Sequence, residues 1–335
     1  MSRVKIVILN WNGREQLERF LPDVVATTAG LGDVVVADNC STDDSLVWLA
    51  QHHPEVEVVR LDRNYGFAGG YNRALRQVEA DIYVLLNSDV RTPAGWLEPL
   101  LRALEDREVG AVAPKLRSCD RPEEFEYAGA SGGFIDYLGY PFCRGRILQT
   151  VERDEGQYDT ARDVFWATGA ALCCRAELFH RLGGFDDDFF AHMEEIDLCW
   201  RMQLAGYRIR IEPASCVYHV GGATLAAGSP RKVLLNHRNN LMMLRKCASR
   251  RQLLVVQIIR PLLDLLAALS YLVQGRVDLF RAVFAAWKEI RSAKASLKVK
   301  RVNIQKTRKK YPTGIYRGSI LLRYAFGGRR FGKIM

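Results

Sequence analysis

Along the first 115 residues, short and nearly continuous apolar runs alternate with longer stretches in which apolar residues recur every three or four positions. "VKIVILN" reads as a strand and "REQLERFLPDVVAT" as an amphipathic helix. "DVVVADN" and "STDDSLVWLAQHH" repeat the pair, with Ser41 or Thr42 expected to cap the helix. "VEVVRLD" is a third strand, "GGYNRALRQVEA" a helix, "DIYVLLN" a strand, "AGWLEPLLRALED" a helix after Pro93, and "VGAVAPKL" closes the series. Apolar strands separated by amphipathic helices predict a parallel sheet covered on both faces. Crossover connections then bring the C-terminal ends of the strands to one edge. Asn10, Asp38, Asn64 and Asp89 each follow such a strand, so they are expected to converge there.

Residues 116–165 break the rhythm. "YAGASGGFIDYLGYPFCRGR" is rich in glycine and aromatics and reads as hairpins or loops. After it come a strand, "VFWATGAALCCR", and a helix, "AELFHRLGGF", ended by glycines. A second helix spans about Met193 to Ala205, with Gly206 as its C-terminal cap before the strand in "YRIRIEPASCVYHVGGA". From about residue 236 the chain is helical, basic and apolar.

Charge sharpens that last change. Residues 1–230 hold 23 Lys+Arg and 35 Asp+Glu (−12), and residues 231–335 hold 25 against 3 (+22), which sum to the net +10. An acidic body with a basic tail implies an anionic partner, either nucleic acid or the cytoplasmic face of a membrane. Most of the tail lacks the interleaved aromatics of a base-stacking surface. Apolar helices precede it, so a membrane is expected and nucleic acid is not. "LLVVQIIRPLLDLLAALSYLV", residues 253–273, has the length of a bilayer span. Arg260, Pro261 and Asp264 interrupt it, and each central charge costs about 2.5–3.5 kcal/mol on insertion scales. An amphipathic segment lying in the membrane interface, or an ordinary packed helix, fits better than a span. The N-terminus runs directly into a strand without a signal-peptide pattern, and the eight cysteines form no CxxC pair. Both points lead to the expectation of a reduced, cytoplasmic protein at the inner face of the membrane.

Several motifs carry candidate chemistry. "LLNSDV" ends a strand on Asn87, Ser88 and Asp89; these make either a turn or a metal and phosphate site. "VADNCSTDDS" puts Asp38 where a carboxylate can accept hydrogen bonds from a base or ribose, or simply form a turn. In "RNYGFAGGYNRAL", Gly66, Gly69 and Gly70 permit a close backbone approach, and the helix start offers unpaired N–H groups to a diphosphate. The alternative there is tight helix packing. "FFAHMEEIDLCWR" carries Glu194 and Glu195 in a first helical turn, where the dipole favours ionised carboxylates suited to a general base. Asp197 and Arg201, spaced i,i+4, read as a surface pair. His219 stands at another strand end, before Gly221 and Gly222, and is either structural or a metal ligand.

Taken in order, "ILNWNG", "VVVADNCSTDDS", "RNYGFAGGYNRAL", "LLNSDV", "ATGAALCCRAELFHRLGGFDDDFF" and "EEIDLCWRMQLAGY" resemble the family 2 glycosyltransferases of GT-A fold, over roughly residues 3–245. Within that family the chain is most similar to bacterial rhamnosyltransferase-type members of cell-surface polysaccharide assembly. The resemblance implies a mixed, mostly parallel α/β sheet with helices on both faces. Residues 1–240 would form the GT-A domain, with a nucleotide-sugar half (1–115) and an acceptor half (116–240), and residues 241–335 a basic helical extension. It further implies that Leu9, Asn10 and Trp11 border the nucleobase and that Asp38 bonds it. Asn64, Gly66, Gly69 and Asn72 would line the donor with Asn87 and Ser88. Asp89, aided by His219, would hold Mg²⁺ or Mn²⁺ on the diphosphate, and Glu195 would be the catalytic base. Asn87 replaces the first Asp of the family's DxD motif, and Glu195 stands where Asp is common, which keeps Glu194 in competition.

The expected reaction is inverting transfer from a dTDP- or UDP-sugar to a hydroxyl of a saccharide or polyprenyl-linked acceptor. The rival readings are a nucleotidyltransferase, which "NWNGREQ" fits poorly for want of a basic triphosphate loop, and a non-catalytic scaffold docked on a membrane.

Overall fold

A computed structural model describes residues 2–221 and 228–334. The first half alternates as the apolar pattern requires: β1 (Val4–Asn10), α1 (Arg14–Thr28), β2 (Asp33–Asp38), α2 (Ser45–His52), β3 (Glu57–Arg60), α3 (Gly66–Leu75), β4 (Ile82–Asn87), β5 (Val90–Arg91), α4 (Leu97–Ala103) and β6 (Val109–Ser118). Then follow β7 (Gly133–Asp136), β8 (Pro141–Cys143), β9 (Arg146–Ile147), β10 (Thr150–Val151), β11 (Arg162–Val164), β12 (Ala171–Arg175), α5 (Ala176–Arg181), α6 (Glu194–Leu204) and β13 (Arg208–His219). The C-terminal part holds α7 (Pro230–Cys247), α8 (Arg250–Val273), α9 (Val277–Ser292), α10 (Lys294–Lys306), β14 (Ile315–Tyr316) and α11 (Ile320–Ala325).

The main sheet runs β11-β13-β6-β12-β4-β1-β2-β3, with β5 also on β13. β3, β2, β1 and β4 are mutually parallel, and β12 enters antiparallel between β4 and β6. Its central strands are apolar throughout because both faces are buried. Val7, Val35 and Leu85 face one core, while Ile6, Ile8, Val34, Val36, Val84 and Leu86 face the other. The strand ends at Asn10, Asp38 and Asn87 therefore meet at one edge, as expected.

The segment expected to be hairpins or loops is a second sheet, β10-β9-β8-β7-β14. Its last strand comes from the basic tail, and β14 lies parallel to β7. Asp136, at the end of β7, is buried and accepts from the N–H groups of Leu138, Tyr140 and Ile320, which ties the start of α11 to this sheet. The same core continues into the tail through Leu241, Met243, Val256, Ile290, Leu297, Ile320 and Phe331. Helix α7 runs unbroken across residues 240 and 241.

Two local expectations are corrected. α2 starts at Ser45, beyond Ser41 and Thr42, which bond Asn10 and Asn12 instead of capping it. Asp197 and Arg201 form no surface pair: both are buried, 2.8 Å apart. Arg260 and Asp264, which interrupt the apolar run of residues 253–273, lie within a single 24-residue helix, α8. Their side chains are buried and turn inward to Asn240, Leu138 O, His237 and Trp287. The outer face of α8 is thereby left with Leu254, Ile258, Leu262, Leu265, Leu266 and Leu269 exposed.

Candidate active site

Side chains at the converging strand ends form two polar knots. In one, buried Asn10 donates to Asp38 (3.2 Å), Ser41 (3.1 Å) and Ser45 (3.1 Å), while Asp38 also accepts from Ser41 N. In the other, Asn39 donates to Asn64 Oδ1 and Gly66 O and accepts from Tyr65 N. Asn39 escaped the sequence reading as a site residue, although it sits in the quoted "VADN" beside Asp38. Leu9 packs against Gly70, where a Cβ would approach its methyls to 3.0 Å. Trp11 projects from the end of β1, 51% exposed, and is free to border a planar ligand.

The glycine-rich loop does not offer the anion site expected of it. Phe67 N and Ala68 N both donate to Phe190 O (2.7 and 3.1 Å), and Gly66 N donates to Asn64 Oδ1. The first N–H groups of α3 are thus used within the protein. Gly66, at φ +71°, lies so close to Phe190 that a Cβ would meet the ring at 2.5 Å. Gly69 lies against Tyr65 and Arg73. The glycines serve close packing. Asn72 likewise leaves the cluster, its amide bonding Phe185 N, Phe185 O and Asp187.

Beyond β4, Asp89 is buried between two elements. Its Oδ1 lies 3.1 Å from His219 Nε2, and its Oδ2 accepts from Gly221 N. Gly222, the second glycine after His219, lies outside the described residues. Burial works hardest against ionising Asp89, yet the His219 contact and Gly221 N–H hold its carboxyl below the usual range. Burial likewise disfavours a charged His219, but the carboxylates of Asp89 and Glu126 on either side push the imidazole up to about 10. Glu126 Oε1 lies 3.4 Å from His219 Nδ1. It was not foreseen, because nothing in "EFEYAGA" marks it. Asn87 reaches His219 Nε2 with its amide (3.3 Å), and Ser88 is partly exposed beside it.

Could these residues hold a divalent ion? Among the described residues no group of three or more His, Cys, Asp or Glu is arranged to do so alone. One ionised carboxylate is nevertheless the usual protein share where phosphates and water complete the shell. His219 has a carboxylate behind Nδ1 and turns Nε2 toward Asp89, the arrangement that orients a metal-binding imidazole. The donor set fits such an ion.

Glu195 reaches the same edge from α6. It packs over Gly169, and the neighbouring Ala170 O accepts from Asn87 N (2.9 Å) at the end of β4. The dipole does not keep this pair of carboxyls ionised. Burial raises Glu195 to about 7. It pushes Glu194 well above the ordinary range, with Glu195 and Asp197 adding to the effect. Glu194 is buried with an unpartnered Oε2, whereas Glu195 is partly exposed.

The backbone before them is strained. Phe190, His192 and Met193 are non-glycine residues at φ +62°, +72° and +73°. Buried Asn239 of α7 holds this turn, its amide lying 2.8–2.9 Å from the carbonyls of Phe189, Ala191 and His192. Lys246, buried, pairs with Asp186 and with Asp197 on α6. A 340 Å³ cavity is lined by Asn72, Asp187, Lys246 and Lys300, among others.

Residues 5–157 match the family model "Glycosyl transferase family 2". The chain carries a family 2 glycosyltransferase domain. It is 29% identical over 233 residues to an N-acetylglucosaminyl-diphospho-decaprenol L-rhamnosyltransferase of Mycobacterium tuberculosis, covering 64% of this chain and 75% of that protein. It is 30% identical over 220 residues to a pre-mycofactocin glycosyltransferase of the same organism, covering 64% and 42%. Among solved structures, GalNAc-T7 with UDP, GalNAc and Mn²⁺ superposes with a TM-score of 0.58 at 16% identity, over 73% of this chain and 48% of that one. The mannosyltransferase PcManGT from Pyrobaculum calidifontis, in complex with GDP-Man and Mn²⁺, gives 0.51 at 18% identity, over 91% and 84%. The glycosyltransferase therefore shares its GT-A architecture with enzymes crystallised with nucleotide ligands and manganese.

Proposed function

We propose that this glycosyltransferase inverts the anomeric centre as it moves a sugar, rhamnose by its similarity to the mycobacterial enzyme, from a dTDP- or UDP-sugar to a hydroxyl of a saccharide carried on a polyprenyl diphosphate. The supporting observation is that Glu195 packs on Gly169, beside the Ala170 carbonyl that bonds the end of β4, and that the Asp89–His219–Glu126 array starts two residues beyond that end. Glu195 Oε takes the proton of the acceptor hydroxyl while that oxygen bonds to the anomeric carbon. The bond from that carbon to the diphosphate oxygen breaks, and its electron pair leaves with the nucleoside diphosphate. Attack from the face opposite the leaving group gives inversion. Asp89 and His219 would hold Mg²⁺ or Mn²⁺, with Glu126 orienting the imidazole. Such an ion supplies Lewis-acid stabilisation of the departing diphosphate. Trp11 and Leu9 border the base, and the two Asn-centred knots keep the loops that surround the donor in register. Residues 241–335 hold the enzyme at the cytoplasmic face of the membrane, where a lipid-linked acceptor is found.

Calorimetric titration of dTDP and UDP, with and without Mg²⁺ or Mn²⁺, tests the donor reading. The wild type is expected to bind one of them in a metal-dependent manner and Asp89→Ala to lose that dependence. Absence of nucleotide binding under every metal condition would sink the proposal.

A further inference from the structure

Four arginines are buried among the described residues: Arg144, Arg146, Arg201 and Arg260. Three are compensated within the protein. Arg201 pairs with Asp197 and Arg260 with Asp264, and Arg144 spends its donors on the carbonyls of Ser131, Tyr158 and Thr160. Arg146 is 6% exposed, yet among the described residues no carboxylate lies within ion-pair distance of it. Its Nε has no partner, and its one hydrogen bond goes to the weakly accepting Cys143 Sγ at 3.4 Å. A guanidinium removed from water without a counter-charge is costly, and an anion arriving from outside relieves that cost.

Its surroundings indicate which anion. Arg146 opens β9, just after a tight turn at Gly145 (φ +102°). That turn is pressed so close to Phe125 that a Cβ would meet the ring at 2.5 Å. Phe125 precedes Glu126, which backs His219, and Tyr127 follows. The Arg146 guanidinium lies 4.5 Å from the centre of the Tyr127 ring, which is 49% exposed. The Gly145–Phe125 contact thus sets the start of β9 beside the residue next to Glu126, which in turn faces His219 of the Asp89 array. Arg146 belongs to the second sheet, whereas the knots where the donor is expected stand at the ends of β1 and β2 in the main sheet.

We infer that Arg146, with the Tyr127 ring beside it, binds a phosphate of the acceptor, namely the diphosphate that joins the sugar to its lipid. This rests on the transferase reading above. A planar guanidinium forks onto phosphate oxygens, and the stacked ring fixes its plane. The enzyme would thereby select acceptors that carry a diphosphate over neutral glycosides.

The test is calorimetric binding, in Mg²⁺, of farnesyl diphosphate, farnesol, UDP and dTDP. Wild type, Arg146→Met, Arg146→Lys, Tyr127→Ala and Asp89→Ala are compared, with thermal melts to check folding. Wild type is expected to bind farnesyl diphosphate more tightly than farnesol. Arg146→Met should weaken farnesyl diphosphate by about 10- to 100-fold and leave nucleotide affinity unchanged. Arg146→Lys, which keeps the charge and loses the fork, should fall between them, and Tyr127→Ala, at an exposed position, should weaken the same ligand. Asp89→Ala should spare it. Unchanged farnesyl diphosphate binding in Arg146→Met, or in both Arg146→Lys and Tyr127→Ala should Met prevent folding, overturns the inference. So does equal binding of farnesol by the wild type, or a parallel loss of nucleotide affinity. If the wild type binds farnesyl diphosphate through Arg146 but neither nucleotide, the donor reading fails and the phosphate site stands.

Discussion

Glu194 and Glu195 are neighbours on the first turn of α6, yet only one is free to act as a base. Glu194 is sealed in the protein, and that burial, with two other acids beside it, pushes its carboxyl well above the ordinary range. Glu195 is partly exposed, and burial of its carboxyl raises it to about 7, where a base is both available and strong enough to work. Its carboxyl must be ionised to accept a proton, so kcat/KM should climb as pH rises through about 7 and then level. Below that it should drop about tenfold per unit, a profile read from initial rates across the range. Glu195→Gln should abolish the ascending limb and lower kcat by about 10²–10⁴-fold at unchanged donor affinity. Glu194→Gln, which replaces a buried carboxyl whose Oε2 has no partner, should stay close to wild type; the opposite ranking would exchange the two roles.

At the scale of elements, the base is aimed from behind by α7. Asn239→Ala would leave three carbonyls of the strained 189–192 turn without their donor. The expected outcome is a fall in kcat and a displaced pH profile at unchanged nucleotide affinity, where a merely structural fault would lower the melting temperature alone. Lys246→Met removes one of two cations from each of Asp186 and Asp197, leaving Lys300 and Arg201, and should cost about 1–3 kcal/mol in urea unfolding. The pairing holds Asp186 below the ordinary carboxylate range, with Lys246 and Lys300 overcoming its burial. Its stabilising share is therefore present above the unfolded value near 3.9 and lost as pH falls toward the folded one. These elements also mark where the sequence was readable. Strands of six or seven apolar residues announced the parallel half and the edge where Asn10, Asp38 and Asp89 gather. The second sheet is built from strands of two to four residues, too short for alternation to register. The spent N–H groups of α3 were hidden because their acceptor, Phe190, lies more than a hundred residues further on. The bracing by Asn239 was hidden for the same reason, since local pattern carries no word of distant partners.

For the whole molecule, the charges that seemed to spoil α8 are turned into the protein, and its outward face is a row of leucines and isoleucines. It is the one helix among the described residues long and apolar enough to cross a bilayer. Its partial seating on the body suits a helix lying in one leaflet, near the basic residues of the tail. Leu262→Glu with Leu266→Glu should sharply reduce co-sedimentation with anionic vesicles while leaving the melting temperature unchanged. Undiminished vesicle binding would shift the contact to the basic residues alone. The parallel pairing of β14 with β7 has a consequence in time. Those strands lie almost 180 residues apart, so at about 5–20 residues per second a ribosome needs on the order of ten to forty seconds to supply the second after the first. Throughout that interval the outer edge of β7 is unpaired, and Asp136 waits for the N–H of Ile320. The nascent chain can complete the parallel half of its main sheet early, but the second sheet closes only when the tail arrives.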